Sequence, residues 1–232
     1  MLRTLIAEIG KLGAYTPEEW REYLGYFEDA EGLRAALPYN PGDPGGELVR
    51  RICSGTGADP ARPDSAASPK LVTAERLAGK LRHGITLGVV SGCFDLLHLG
   101  HVRGMVQASD HLAGRPNPKL CAMTLSDENI RAKKGPSRPV MNLAERVQMI
   151  AGVRCIDYVV PLDEPNCLAA LRRLRPDCFF KSSADTIQGI VQEEIELVRS
   201  LGASVPFFPQ RETEGRSTTR LIEAVQNAFS KG

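Results

Sequence analysis

No apolar stretch in this 232-residue chain approaches the roughly 18 residues needed to cross a bilayer, so no membrane-spanning helix is expected. The first residues mix polar and apolar side chains where a signal peptide would carry an apolar core, which argues against secretion. Cys53, Cys93, Cys121, Cys155, Cys167 and Cys178 stand singly, with no Cys-x-x-Cys pair. Such spacing argues against a disulfide frame or a zinc cluster and suits reduced thiols serving as small apolar residues in a cytoplasmic protein. The chain also lacks an excess of either charge. Its formal net charge of +1 offers no general basic face, so nucleic acid is not an expected partner. Internal repeats are absent.

What is present suits one α/β core with an appendage. The apolar share of 42% is that of an ordinary globular protein. Charge divides unevenly: residues 1–70 carry 8 Lys and Arg against 11 Asp and Glu, whereas residues 71–232 carry 21 against 17. The second part is therefore basic enough to favour anionic ligands. Residues 1–37 are expected to form a helical N-terminal extension, because Leu2, Leu5, Ile6, Ile9 and Leu12 recur at helical spacing. Thr16-Pro17-Glu18-Glu19 is a second helix start, followed by the stripe Trp20, Tyr23, Leu24 and Phe27. That stripe suits packing on the main domain or on a partner subunit, with a substrate-facing lid as the alternative, and it is compatible with a homodimer. Residues 38–70 concentrate Pro, Gly, Asp and Ser and read as a linker or long loop.

From residue 71 to 232 helices and strands alternate. Thr73 caps a helix to Arg82, and strands are expected at Ile85–Val90, Leu120–Leu125, Ile156–Val160, Cys178–Phe180 and Ser204–Phe208. Helices are expected at Leu99–Leu112, from the capping-box start Asn142 to Glu145 as far as Val153, from Asn166 to Leu174, from Asp185 to Leu201, and from Ser217 onward. This alternation predicts a Rossmann-like, doubly wound sheet of five parallel strands. Ligands in such sheets lie beyond the carboxyl ends of the strands, at the point where strand order reverses.

The segment Val89 to Val102 is where the chain is organised. An apolar run enters a glycine-containing turn, and His98 and His101, separated by Leu99 and Gly100, open a helix. The first N–H groups of a helix have no intrahelical partners and carry the positive end of its dipole, so the arrangement attracts phosphate. Gly100 has no Cβ to obstruct a ligand. Two imidazoles three positions apart share roughly one side of the first turn.

The run Phe94-Asp95-Leu96-Leu97-His98-Leu99-Gly100-His101 resembles the His-x-Gly-His motif of the cytidylyltransferase-like nucleotidyltransferases, and Glu214 to Ile222, with Ser217-Thr218-Thr219-Arg220, resembles their C-terminal Ser/Thr-rich helix start. The resemblance runs from about Val72 to the end and is strongest toward heptose-1-phosphate adenylyltransferases, with glycerol-3-phosphate cytidylyltransferases next. It implies that an acceptor phosphate attacks the α-phosphorus of a nucleoside triphosphate and displaces pyrophosphate. Such catalysis consists of alignment and charge stabilisation, without a covalent intermediate. ATP is favoured over CTP, and a sugar or polyol phosphate is the implied acceptor. A nucleotide-binding scaffold without catalysis is the contrasting reading. It would not need so complete a set of site residues.

The resemblance also assigns residues. His98, His101, Lys134 and Arg220 are the catalytic candidates; the histidines would donate to phosphate oxygens, and Arg220 would offer a bidentate fork. Gly92, Cys93, Phe94, Asp95, Gly100, Lys133, Arg146, Lys181, Ser217, Thr218 and Thr219 are the nucleotide-binding candidates. Lys133 and Lys134 precede Gly135 to Pro139, a rigid basic loop after the second strand, and the resemblance implies that a lysine here contacts phosphate, with Lys134 preferred. Arg146 either binds phosphate or braces that loop, and Asp95 either shapes the turn or lies near the acceptor. Mg²⁺ is expected with the triphosphate, although no carboxylate cluster marks its protein ligands. One departure concerns the acceptor: Lys181-Ser182-Ser183-Ala184-Asp185 replaces the Lys-Gly-Gly-Asp-Tyr of the heptose-type enzymes.

Overall fold

The computed structural model of the protein describes residues 70–81, 84–182, 190–208, 218–219 and 222. The expected N-terminal extension, nearly all of the linker, the helix start at Asp185, and both Ser217 and Arg220 lie outside the described residues. Among them, no helix is long and apolar enough to cross a membrane.

Five strands form one sheet: β1 (Thr86–Gly92), β2 (Pro118–Leu125), β3 (Tyr158–Leu162), β4 (Cys178–Ser182) and β5 (Phe207–Phe208). Their order is β3-β2-β1-β4-β5, and every pairing is parallel. The helices are α1 (Ala74–Lys80), α2 (Leu99–Leu112), α3 (Asp127–Lys134), α4 (Leu143–Ala151), α5 (Leu168–Leu174) and α6 (Ile190–Ser200). The expected Rossmann-like doubly wound sheet is the observed one. Chain order reverses on passing from β2 and β1 to β4, so β1 lies at the switch point.

Side-chain alternation along each strand divides the core into two layers. Val90, Ala122, Val159 and Phe180 pack with α2 and α4, whereas Val89, Met123, Val160 and Phe179 pack with α1 and α5. Gly88 brings β1 against α2, since a Cβ there would lie 2.6 Å from Leu112 and 2.7 Å from Phe180. At the amino ends of the strands, Asp177 accepts from Leu87 N–H at 2.7 Å and Asp157 from Leu120 N–H at 2.9 Å. These carboxylates fix the strand starts.

Three differences from the sequence reading have physical causes. Lys70 and Val72 bond to Val159, at 2.8 and 3.0 Å, so the last linker residue is already docked on the sheet edge. Cys167 takes the N-cap position of α5, with Asn166 Oδ1 accepting from Leu168 N–H at 3.0 Å. A helix that the sequence reading does not expect carries the lysine pair. Ser126 caps α3, its hydroxyl accepting from Asn129 N–H at 3.3 Å, and Lys133 and Lys134 form the last turn. Gly135, at φ 94°, then ends the helix.

Candidate active site

The carboxyl end of β1 turns into α2 through a compact loop. Phe94 adopts φ 46°, in the left-handed region that costs a non-glycine residue on the order of 1 kcal/mol or more. Its buried ring folds back over Gly92, where a Cβ would lie 3.1 Å from the ring. A side chain at Gly92 would press on the Phe94 ring and shift it by a few tenths of an ångström. The same ring meets His101 edge to face, with centroids 5.4 Å apart.

His98 is the N-cap residue of α2, His101 lies in the first turn, and Gly100 stands between them, half-buried. The two imidazoles stack at 3.7 Å between centroids and 23° between planes. His101 Nδ1 faces the backbone of the turn, 3.4 Å from the His98 backbone nitrogen. Burial under His98 and Phe94 is the leading cause that holds the His101 pKa well below 6.5. His98 and Lys134 press it further down, and a hydrogen bond with the Leu96 backbone opposes them. The ring is thus neutral at pH 7 in the unliganded protein. Lys134's charge reaches it from the last turn of α3.

Three of the nucleotide-binding candidates are engaged by groups of the protein itself. Asp95 is buried, and its carboxylate accepts from Val140 N–H at 2.7 Å, Met141 N–H at 3.0 Å and the Arg138 guanidinium. It anchors the segment between α3 and α4, because three donors already occupy its oxygens. Arg146, fully buried, is a brace. Its Nε donates to Met141 O at 3.2 Å, Nη1 to Cys93 O and Thr124 Oγ1, both at 2.7 Å, and Nη2 to Leu125 O at 2.8 Å and Asp127 Oδ1 at 2.7 Å. All five donors are engaged, leaving none for phosphate. The Cys93 carbonyl is likewise turned inward, receiving Thr124 Oγ1–H at 3.0 Å as well. Lys181, also buried, pairs with Glu194 at 3.0 Å and donates to Ser91 Oγ at 3.4 Å, so its charge is answered inside the protein.

His98, Gly100 and His101 are therefore brought together at the start of α2, while Lys133 and Lys134 lie exposed in the last turn of α3, from which the charge of Lys134 acts on His101. Thr218 and Thr219 are helical, the first half-buried and the second exposed. Sequence reasoning missed Thr124, Asp127 and Arg138 in the supporting network, and Glu194 as Lys181's partner. The hydrophilic helix α3 hid Asp127 from periodicity, and Thr124, in β2, reads from the sequence only as a strand residue. The Glu194 contact spans 13 residues and carries no sequence signal.

A strand-to-helix turn at the switch point of a doubly wound sheet, with paired histidines at the helix start, defines an α/β domain of the kind that seats ligands beyond the carboxyl ends of its strands. The family model described as cytidylyltransferase-like matches residues 89–224, and the chain belongs to that family. The bifunctional protein HldE of Syntrophotalea carbinolica is 38% identical over 151 residues, covering 65% of this chain and 29% of that protein. The bifunctional protein HldE of Geobacter sulfurreducens is 36% identical over 162 residues, covering 69% of this chain and 30% of that protein. Less than a third of each relative is thus matched. Among solved structures, the lipopolysaccharide core biosynthesis protein of Thermoplasma volcanium is similar at a TM-score of 0.43 and 18% identity, over 53% of this chain and 94% of that chain.

Proposed function

We propose that this chain transfers a nucleotidyl group from a nucleoside triphosphate, with ATP favoured, to a sugar phosphate or polyol phosphate, releasing pyrophosphate. The observation that carries this reading is the stacked His98–His101 pair at the N-terminus of α2, with Lys134 close enough to act on His101. The triphosphate would lie over that helix start, its oxygens meeting backbone N–H groups, the imidazoles and the lysine. The preference for ATP and for a heptose-type acceptor rests on the resemblance to heptose-1-phosphate adenylyltransferases and on the 38% and 36% identity to HldE proteins.

In this reading an acceptor phosphate oxygen forms a bond to the α-phosphorus while the bond to the bridging oxygen of pyrophosphate breaks. Negative charge grows on the bridging and non-bridging oxygens. Bound triphosphate would raise the His101 pKa, opposing the burial and positive charge that lower it in the free protein. His98 and His101 would hold the α- and β-phosphate oxygens, and Lys134 would neutralise charge beside them. Ser217, Thr218, Thr219 and Arg220 would supply the second anion seat. Among the described residues no group of three His, Cys, Asp or Glu could hold a metal, and Asp95 is occupied by its three donors. That donor set suits a Mg²⁺ carried mainly by triphosphate oxygens and water, where it would offset phosphate charge.

The test is thermal stabilisation of the protein by ATP, CTP, GTP and UTP, each with Mg²⁺. The expected result is the largest shift with ATP, followed by pyrophosphate release when heptose or polyol phosphates are added. A larger shift with CTP would move the assignment to cytidylyl transfer. No shift with any nucleotide, and no pyrophosphate with any acceptor, would remove it.

A further inference from the structure

We propose that Arg146 is a positioning residue for nucleotidyl transfer, setting the spacing between the histidine turn and the helix that brings Lys134 to it. This rests on the reading above. Arg146 cannot be a ligand group, since it is fully buried and all five N–H donors are engaged. What distinguishes it from a general fastener is where its acceptors lie. The Cys93 carbonyl belongs to the turn between β1 and α2. Thr124 and Leu125 end β2, Asp127 opens α3, and the Met141 carbonyl closes the segment that Asp95 also holds. One guanidinium therefore joins the carboxyl ends of two neighbouring strands to the first turn of the lysine helix.

The planarity of the group matters here. A guanidinium fixes the directions of its donors, so it constrains angles between segments as well as distances, which the three donors of a flexible lysine cannot do. Thr124 closes the network, donating to Cys93 O while accepting from Arg146 Nη1. Helix α3 then acts as a short lever. Asp127 lies at its start and Lys134 at its end, about 10 Å apart along the axis. A small rotation at Asp127 moves the lysine relative to the stacked imidazoles. A buried cation also carries a large desolvation penalty, which an apolar residue at the same position would avoid.

The experiment compares the full-length protein with Arg146→Lys and Thr124→Val, the second nearly isosteric so that a folded variant is available if the first does not fold. Substrate-free ¹H–¹⁵N spectra of the histidine rings form one arm. Both variants are expected to shift the His98 and His101 ring signals, while amides of Leu77 and Leu171, in the opposite core layer, stay unchanged. Kinetics form the second arm: pyrophosphate release with ATP, Mg²⁺ and the acceptor should lose at least tenfold in kcat with KM for ATP changed less than threefold. Combining Arg146→Lys with Lys134→Ala should cost no more than about twofold beyond the worse single variant, because one acts through the other. Unmoved ring signals, or fully additive losses, would overturn the proposal. If the wild-type protein releases no pyrophosphate with any acceptor, the proposed function fails, and the ring spectra alone decide the role of Arg146.

Discussion

His101 illustrates how one residue's surroundings set both stability and chemistry. In the unfolded chain its imidazole titrates near 6.5, whereas in the folded protein burial, with His98 and Lys134 nearby, holds the pKa lower. Between those values the unfolded chain binds a proton that the folded protein does not. Stability from this group is therefore complete above about pH 6.5 and declines as pH falls toward the folded value. Urea unfolding at pH 7.5 and 5.5 should show the loss at the lower pH, and His101→Gln should shrink the difference. An unchanged difference would mean that other groups dominate. Under the proposed function, replacing His101 by Ala should reduce turnover on the order of 100-fold, read in the pyrophosphate assay, because the variant would lack a donor to the developing charge. The placement of the histidine pair at a helix start was legible in the sequence because it depends on local spacing alone. Arg146 was not: its position in the chain suits a phosphate contact or a brace equally, and only the directions of five hydrogen bonds separate them.

At the scale of elements, legibility followed burial. Helix α2 spans Leu99–Leu112 as its apolar period predicts, with Leu99, Val102, Met105, Ala108 and Leu112 buried at helical intervals. Helix α3 escaped notice because Ile130 is its single buried residue, so it offers no stripe to read. Its signals are all at the ends: Ser126 at the cap, Asp127 and Glu128 in the first turn, and basic residues in the last. The contact between β1 and α2 was equally invisible, since a glycine within a strand announces only that something approaches closely. Gly88→Ala places a methyl against Leu112 and Phe180, both buried, in the layer that seats the histidine helix. The expected cost is about 1–3 kcal/mol, from overpacking between elements that cannot separate freely. Urea titration checks it, with a lowered midpoint and an unchanged slope as the expected result.

Across the whole molecule, the parallel sheet gathers short segments at the carboxyl ends of its strands and leaves long-range contacts to hold them there. The order of strands and helices was legible because each carries its own periodicity, but the partners of buried charges were not, because they meet only when the sheet is assembled. Lys181 is the clearest case. Its resemblance to a nucleotide-binding lysine led to a ligand role, yet its ammonium is buried against Glu194, whose other oxygen accepts from Cys167 N–H at 3.3 Å. The pair ties β4 to α6 and to the start of α5. Removing one charge leaves the other stranded, so Glu194→Gln should cost about 3–5 kcal/mol. Replacing both, with Lys181→Met and Glu194→Leu, removes the stranded charge and should recover most of that loss. If the lysine is fully committed to Glu194, the double variant should also bind ATP·Mg²⁺ within about threefold of wild type, measured by calorimetry. A tenfold or greater loss of affinity in a stably folded double variant would mean that Lys181 reaches the nucleotide after all, with Glu194 holding it only until the triphosphate arrives.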